Sequence, residues 1–259
     1  QPNAMGGREV GGLSNMLAAH HDLASVQDRE KVARFWGSGE ISAQPGLTAT
    51  EMIEAIEAGR LKALWVICTN PLVSLPQSNR VEAALKKIPF LVVQDISSLS
   101  DTVAFADVVL PAAGWLEKEG TMTNSERRIT YLPKVLEAPG EAKPDAEILI
   151  EFAKKMGYKE AFNYSNMEQV YLEHAALTKN TNIDISQVNY TLLRQKNSLQ
   201  WPYTQGNGSK RLFSDARFFT PNQRAKMFAI KDALASEPTS KEYSLILTTG
   251  RIRDQWHTI

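Results

Sequence analysis

Cysteine is nearly absent from this chain of 259 residues, and Cys68 is the only one. A lone cysteine excludes an intrachain disulfide and any zinc or iron–sulfur site built from clustered thiolates of this chain. It fits a cytoplasmic setting. Histidine is scarce too: His20, His21, His174 and His257. None stands at H-E-x-x-H or Cys–His spacing, so no metal ligand is read from the sequence. Neither sign of charge prevails, with 29 Lys and Arg against 29 Asp and Glu. That removes the basic excess by which nucleic acid or an anionic membrane is recognised. No run reaches the roughly 18 to 20 apolar residues of a membrane span, and no signal peptide is visible. The glycine patterns G-x-G-x-x-G and G-x-x-x-x-G-K-[ST] are missing, as is G-x-S-x-G. A standard dinucleotide enzyme, a phosphate-loop ATPase and a serine hydrolase are therefore not expected.

What is present is ordinary globular chemistry, 43% hydrophobic and 22% charged. The first 22 residues, rich in Gly and Asn, read as loop followed by a helical turn. From residue 48 a clear alternation begins. Thr48 or Thr50 can cap a helix with Met52, Ile53 and Ile56 on one face, and Gly59 ends it. ALWVICT, 63–69, is a continuous apolar run of the kind that makes a parallel strand buried on both faces. Residues 78–88 read as helix, 89–96 as a second strand, 101–106 as a short helix and 107–113 as a third strand. This order predicts the α/β class: a Rossmann-like parallel sheet with flanking helices. After residue 115 the chain turns polar and turn-rich. Helices are expected over 144–158, with Asp145 as a cap, and over 163–176. Residues 180–225 show little periodicity, and 242–250 read as a late strand that starts a C-terminal β domain. The expected organisation is 1–30, 31–114, 115–240 and 241–259.

Three stretches offer chemistry. Ligands in open α/β sheets sit beyond the carboxyl ends of the strands, and there the sequence places Asn70, Gln94 and Asp95. An amide and a carboxylate at that rim suit a purine or a ribose; the alternative is a pair of plain turns. EKEGTMTNSERR, 117–128, is a charged loop that a solvated ion-pair network would equally explain. TGRIRDQWHT, 249–258, could stack Trp256 and His257 on a flat heterocycle or simply pack a tryptophan. Cys68 falls inside a strand expected to be buried, where a thiol is inert. His20 and His21 read as helix surface.

The segments QPNAMGGREVGG (1–12), ALWVICTNP, VVQDISSLSDTVAFADVVLPAAGWLEKEGTMTNSERR, APGEAKPD and TTGRIRDQWHT together resemble the molybdopterin oxidoreductase family. They span nearly the whole chain. With RFWG (34–37), the first and last are most similar to assimilatory nitrate reductases; periplasmic nitrate reductases and formate dehydrogenases are near neighbours. The resemblance implies a molybdenum bis(molybdopterin guanine dinucleotide) cofactor. By that resemblance Asn70, Gln94 and Asp95 hold a guanosine half, Lys118 contacts the cofactor and Asp145 the guanine. Thr249, Gly250, Arg251, Gln255, Trp256, His257 and Thr258 lie in a loop around the pterin diphosphate. Gln1 and Arg8 face the molybdenum pocket, where a guanidinium can meet planar nitrate with two parallel donors. Met5 stands where periplasmic members often carry Cys, and their Gln–Arg spacing is longer by a residue.

The resemblance further implies nitrate as substrate and an iron–sulfur cluster held outside this chain. It implies an electron donor such as ferredoxin, flavodoxin or an NADH-linked subunit. On this reading the chain is an internal piece of a longer catalytic subunit, inactive by itself. The alternatives are a formate dehydrogenase of the same cofactor family and a cofactor-free scaffold member.

Overall fold

The computed structural model describes residues 3–230 and 238–247. It divides into two units, residues 2–209 and residues 210–259 with residue 1. In the first unit the chain begins with helix α1 (Ala4–Glu9), where the sequence suggested loop. Its glycines do not prevent helix because the turn is held from outside: Asn3 Oδ1 accepts from Thr123 N at 2.9 Å, and Glu9 is buried. A 3₁₀ turn at 18–20 follows, then α2 (Val26–Trp36), capped by Ser25 Oγ accepting from Asp28 N at 3.2 Å. His21 is not helix surface: it is buried, its Nδ1 2.8 Å from Ala18 O.

Helix α3 (Ala49–Glu57) starts at Thr48, whose backbone N donates to Glu51 Oε2 at 2.7 Å. It ends before Gly59, in the left-handed region at φ +68°. Strand β1 (Leu64–Ile67), the short α4 (Pro71–Ser74), α5 (Ser78–Leu85), β2 (Leu91–Asp95), a 3₁₀ turn at 101–105 and β3 (Val108–Pro111) complete the expected alternation. The sheet is parallel with order β1-β2-β3; Ile67 pairs with Gln94, and Asp95 with Pro111. Ile53 and Ile56 of α3 and Val81, Ala84 and Leu85 of α5 pack on Val66, Leu91 and Val93. Full burial of such side chains contributes about 1.5–3 kcal/mol each, which fixes the central strand and the residues at its end.

Residues 120–132 are not merely turn-rich. They form an antiparallel hairpin, β4 (Gly120–Thr123) and β5 (Arg128–Leu132), with Thr123 opposite Ile129. The predicted turn chemistry is present: Asn124 Oδ1 accepts from Glu126 N at 2.9 Å and from Arg128 N at 3.1 Å. Helix α6 (Asp145–Lys155) covers the other face of the parallel sheet, where Phe152 meets Trp65 edge to face at 5.0 Å. Helices α7 (Met167–Leu177) and α8 (Tyr190–Lys196) are each capped by an asparagine, Asn166 and Asn189. β6 (Leu199–Gln200) joins the hairpin, and β7 (Tyr203–Thr204) pairs with β8 (Asn207–Gly208). This part of 180–225 is better ordered than its periodicity suggested, because Ile183, Ile185 and Val188 are buried one by one in an irregular loop.

In the second unit Phe213 stacks on Phe218 at 4.7 Å. The late strand expected over 242–250 does not form over 242–247. That stretch has no ladder partner among the described residues, and Leu245, Ile246 and Leu247 are exposed. Residues 248–250 lie outside the described residues.

Candidate functional site

The carboxyl ends of the parallel strands gather a cluster of polar side chains from four parts of the chain. Gln94, at the end of β2, is fully buried. Its Nε2 donates to Asp145 Oδ1 at 2.7 Å. Its Oε1 is buried with no hydrogen-bond partner in the protein. Lys118, just after a 3₁₀ turn at 115–117, pairs with Asp145 Oδ2 and lies 5.6 Å from the centre of the Trp115 ring. Cys68 completes the group, its Sγ 3.1 Å from Asp145 Oδ1.

Asp145 is thus the hub rather than a cap. It is the first residue of α6, and no side chain caps that helix. Instead its carboxylate points to the strand ends, where two groups donate to Oδ1 and a cation meets Oδ2. Burial alone would raise its pKa. The hydrogen bonds from Lys118, Cys68 and Gln94, with the Lys118 charge, outweigh burial and hold it below the ordinary carboxylate value.

Cys68 departs from the expectation of an apolar thiol inside a strand. It lies one residue beyond β1, exposed, with φ +51°. A left-handed backbone at a non-glycine residue costs about 1 kcal/mol or more and tends to mark functional turns. Its inertness survives for another reason. Desolvation of the thiol, then its bond to the Asp145 carboxylate, pushes its pKa up to about 12.

Asn70 and Asp95 lie at the same rim but outside this cluster. Asn70 Nδ2 donates to Asp101 Oδ2 at 2.9 Å, and its Oδ1 accepts from Thr102 Oγ1 at 2.7 Å, which ties the end of β1 to the 101–105 turn. Asp95 is next to Gln94 on β2, so its side chain leaves the opposite face of the sheet. Its Oδ1 accepts from Ser97 N at 3.1 Å. Arg8 is exposed on α1, and its charge helps depress the pKa of His20, after burial. Gln1 and Thr249, Gly250, Arg251, Gln255, Trp256, His257 and Thr258 lie outside the described residues.

Reading the sequence missed two participants. Cys68 could have been found from register, since it follows Ile67, the partner of Gln94. Glu9 adjoins Arg8 but faces inward: its Oε2 accepts from Thr123 Oγ1 at 3.0 Å and its Oε1 from the Trp201 indole N–H. Burial raises its pKa despite these two bonds.

A parallel sheet with helices on both faces and an amide–carboxylate–lysine cluster beyond its strand ends defines an open α/β protein, with polar groups at the rim where such sheets place their ligands. The sequence narrows the class further. Residues 3–155 match the model of the molybdopterin oxidoreductase family, and the chain belongs to that family. It is 41% identical to a nitrate reductase of Synechocystis over its whole length, which is 37% of that protein. It is 38% identical, again over its whole length and 37% of the relative, to the alpha subunit of an F420-dependent formate dehydrogenase of Methanocaldococcus jannaschii. The chain therefore spans little more than a third of these relatives. Acetylene hydratase from Pelobacter acetylenicus shares the fold over 76% of this chain and 26% of its own, with a TM-score of 0.50 and 19% identity.

Proposed function

We propose that the chain forms part of a molybdenum nitrate reductase and that the Gln94–Asp145–Lys118 cluster holds one guanosine half of a bis(molybdopterin guanine dinucleotide) cofactor. The observation that carries this reading is the half-buried Asp145 carboxylate, held by Gln94 and Lys118 beyond the strand ends. A guanine edge carries a ring N–H and an amino group, both donors, and a carboxylate accepts from such a pair. Lys118 brings the positive charge that a diphosphate linker needs nearby. Asn70 fixes the rim, and Asp95 suits a ribose hydroxyl. Residues 249–258 are assigned to the pterin end by the resemblance of their sequence alone.

When bound, the molybdenum centre supplies oxygen-atom transfer from nitrate. The chain's part is to bind and orient: Arg8 offers parallel donors to the planar anion, and Gln1 adds another. An iron–sulfur cluster would supply the electrons, and this chain, with one cysteine, holds no ligand set for it. The donor is a ferredoxin, a flavodoxin or an NADH-linked subunit, and the setting is cytoplasmic. No helix among the described residues is long and apolar enough to cross a membrane.

Whole-length likeness to a formate dehydrogenase subunit supports a second reading, formate oxidation with the same cofactor. One assay separates them. A protein of the relatives' length, loaded with cofactor, is expected to reduce nitrate with a chemical reductant and to leave formate untouched. Formate oxidation without nitrate reduction would assign the second reading.

A further inference from the structure

Helix α1 is pinned along one side. Asn3, Gly6 and Glu9 recur every three residues and share that side. Both donors of Thr123 in β4 go to it, the backbone N–H to Asn3 Oδ1 at 2.9 Å and the hydroxyl to Glu9 Oε2 at 3.0 Å. Between them the Asn3 amide lies over Gly6, where a Cβ would come within 2.0 Å of Oδ1. A larger residue at position 6 would push that amide off Thr123. The other carboxylate oxygen of Glu9 accepts from the Trp201 indole N–H. These anchors belong to one piece of structure. Thr123 pairs with Ile129 across the hairpin, and Trp201 N donates to Arg127 O in its turn at 3.1 Å. Thr123 and Trp201 are both buried.

Glu9 is itself 5% exposed, and both its oxygens are taken. A buried carboxyl group is tolerated only with its hydrogen bonds made. Turning α1 about its axis would strand Glu9 and both of its donors, so the helix has one favoured rotation. Arg8 stands two residues from Gly6, about 200° round the helix at about 100° per residue, and is exposed. The anchored side and the free guanidinium side of α1 therefore face opposite ways. We propose that Glu9 is a positioning residue: by holding Thr123 and Trp201 it sets the direction in which Arg8 meets a planar oxyanion, which rests on Arg8 being the nitrate donor. The role belongs to the hydrogen bonds and not to the charge. Glu9→Gln keeps them, its Oε1 accepting from Trp201 and its Nε2 donating to Thr123 Oγ1. Glu9→Leu, of similar size, keeps neither.

Two measurements test this. In the chain itself, amide hydrogen exchange over residues 4–12 should quicken about tenfold in Glu9→Leu and change less than about threefold in Glu9→Gln. Unaltered exchange in Glu9→Leu overturns the proposal. In a cofactor-loaded protein of the relatives' length, Glu9→Leu should raise the nitrate KM about tenfold with kcat little changed. A misplacement of about 1 Å can cost about a hundredfold, and a lost binding contact shows in KM. Glu9→Gln should keep the KM. Thr123→Val, which retains the branched shape without the hydroxyl, should raise it in the same direction and serves where Glu9→Leu does not fold. Arg8→Ala is the reference. If Arg8→Ala raises the KM and neither Glu9→Leu nor Thr123→Val does, the positioning role falls and Arg8 remains the nitrate donor. If Arg8→Ala leaves the KM unchanged, the nitrate role of Arg8 falls and the positioning role with it. A Glu9→Gln variant as impaired as Glu9→Leu assigns the effect to charge and also overturns the proposal.

Discussion

Gln94 and Asp145 are 51 residues apart in sequence, yet Gln94 Nε2 donates to Asp145 Oδ1 at 2.7 Å. One ends the central strand of the parallel sheet and the other begins the helix that covers its far face. Their bond closes the strand ends from one side, and Lys118 closes them from another. A single carboxylate therefore organises three chain segments.

Asp145→Ala is expected to act on both stability and binding. It leaves Gln94 Nε2 and the Lys118 ammonium without their partner, a loss of about 1–3 kcal/mol. Because the Asp145 pKa is depressed on folding, its stabilisation is present above the usual value of 3.8 and is lost as pH falls through the lower folded value. Chemical denaturation at pH 7 and pH 3 checks this: the difference between variant and unaltered chain should shrink at pH 3. Calorimetric titration with GMP should show weaker binding by the conservative variant Asp145→Asn. Equal affinity would remove Asp145 from the guanosine site.

The Cys68 thiol should resist alkylation although the residue is exposed. With its pKa at about 12 against an ordinary 9.0, the thiolate fraction at pH 8 falls about a hundredfold or more. Iodoacetamide should label the native chain that much more slowly than the urea-unfolded chain. Asp145→Asn removes the carboxylate that raises the pKa, so native labelling should speed up. Native and unfolded rates within a factor of about three would contradict the geometry.

Much of the parallel sheet was legible because its signals are local. Apolar runs, a capping pair such as Thr48 and Glu51, and a glycine terminator each act within a few residues. The rim residues were legible too, because strand ends follow from strand positions. Two features were not. The inward turn of Asp145 depends on Lys118 and Gln94 arriving from elsewhere, and a helix-start Asp reads locally as a cap. Helix α1 was hidden for the same reason, since its glycines argue for loop until Asn3 and Glu9 find Thr123 and Trp201 far along the chain.

His174 should make the fold sensitive to mild acid. Its pKa is about 4 folded against 6.5 unfolded. A lowered histidine leaves stability unchanged above about pH 6.5 and erodes it as pH falls toward 4, by at most about 3 kcal/mol. Glu9, whose pKa is raised on folding, gives a slope of the opposite sign over part of this range. The informative quantity is therefore the difference in melting temperature between the unaltered chain and His174→Gln, followed from pH 7.5 to pH 4.5. That difference should move toward the variant as pH falls. A constant difference would mean that His174 is solvated.

Two glycines of the first segment should respond oppositely to the same change. A Cβ on Gly11 would lie 2.5 Å from Ala18 N and 2.7 Å from Leu17 C, and the residue has φ +74°. Both contacts are backbone, so neither can swing away. Left-handed strain adds about 1–2 kcal/mol and overpacking about 1–3, so Gly11→Ala should lower the melting temperature by several degrees. On Gly7, inside α1, a Cβ meets nothing within 4 Å. Alanine there gains the helix propensity that glycine lacks, about 0.5–1 kcal/mol, and the melting temperature should rise slightly. If Gly7→Ala raises stability but weakens nitrate turnover in a cofactor-loaded protein of the relatives' length, the glycine serves close approach at the site rather than the fold. If it raises stability and leaves turnover intact, close approach at Gly7 is not needed for turnover.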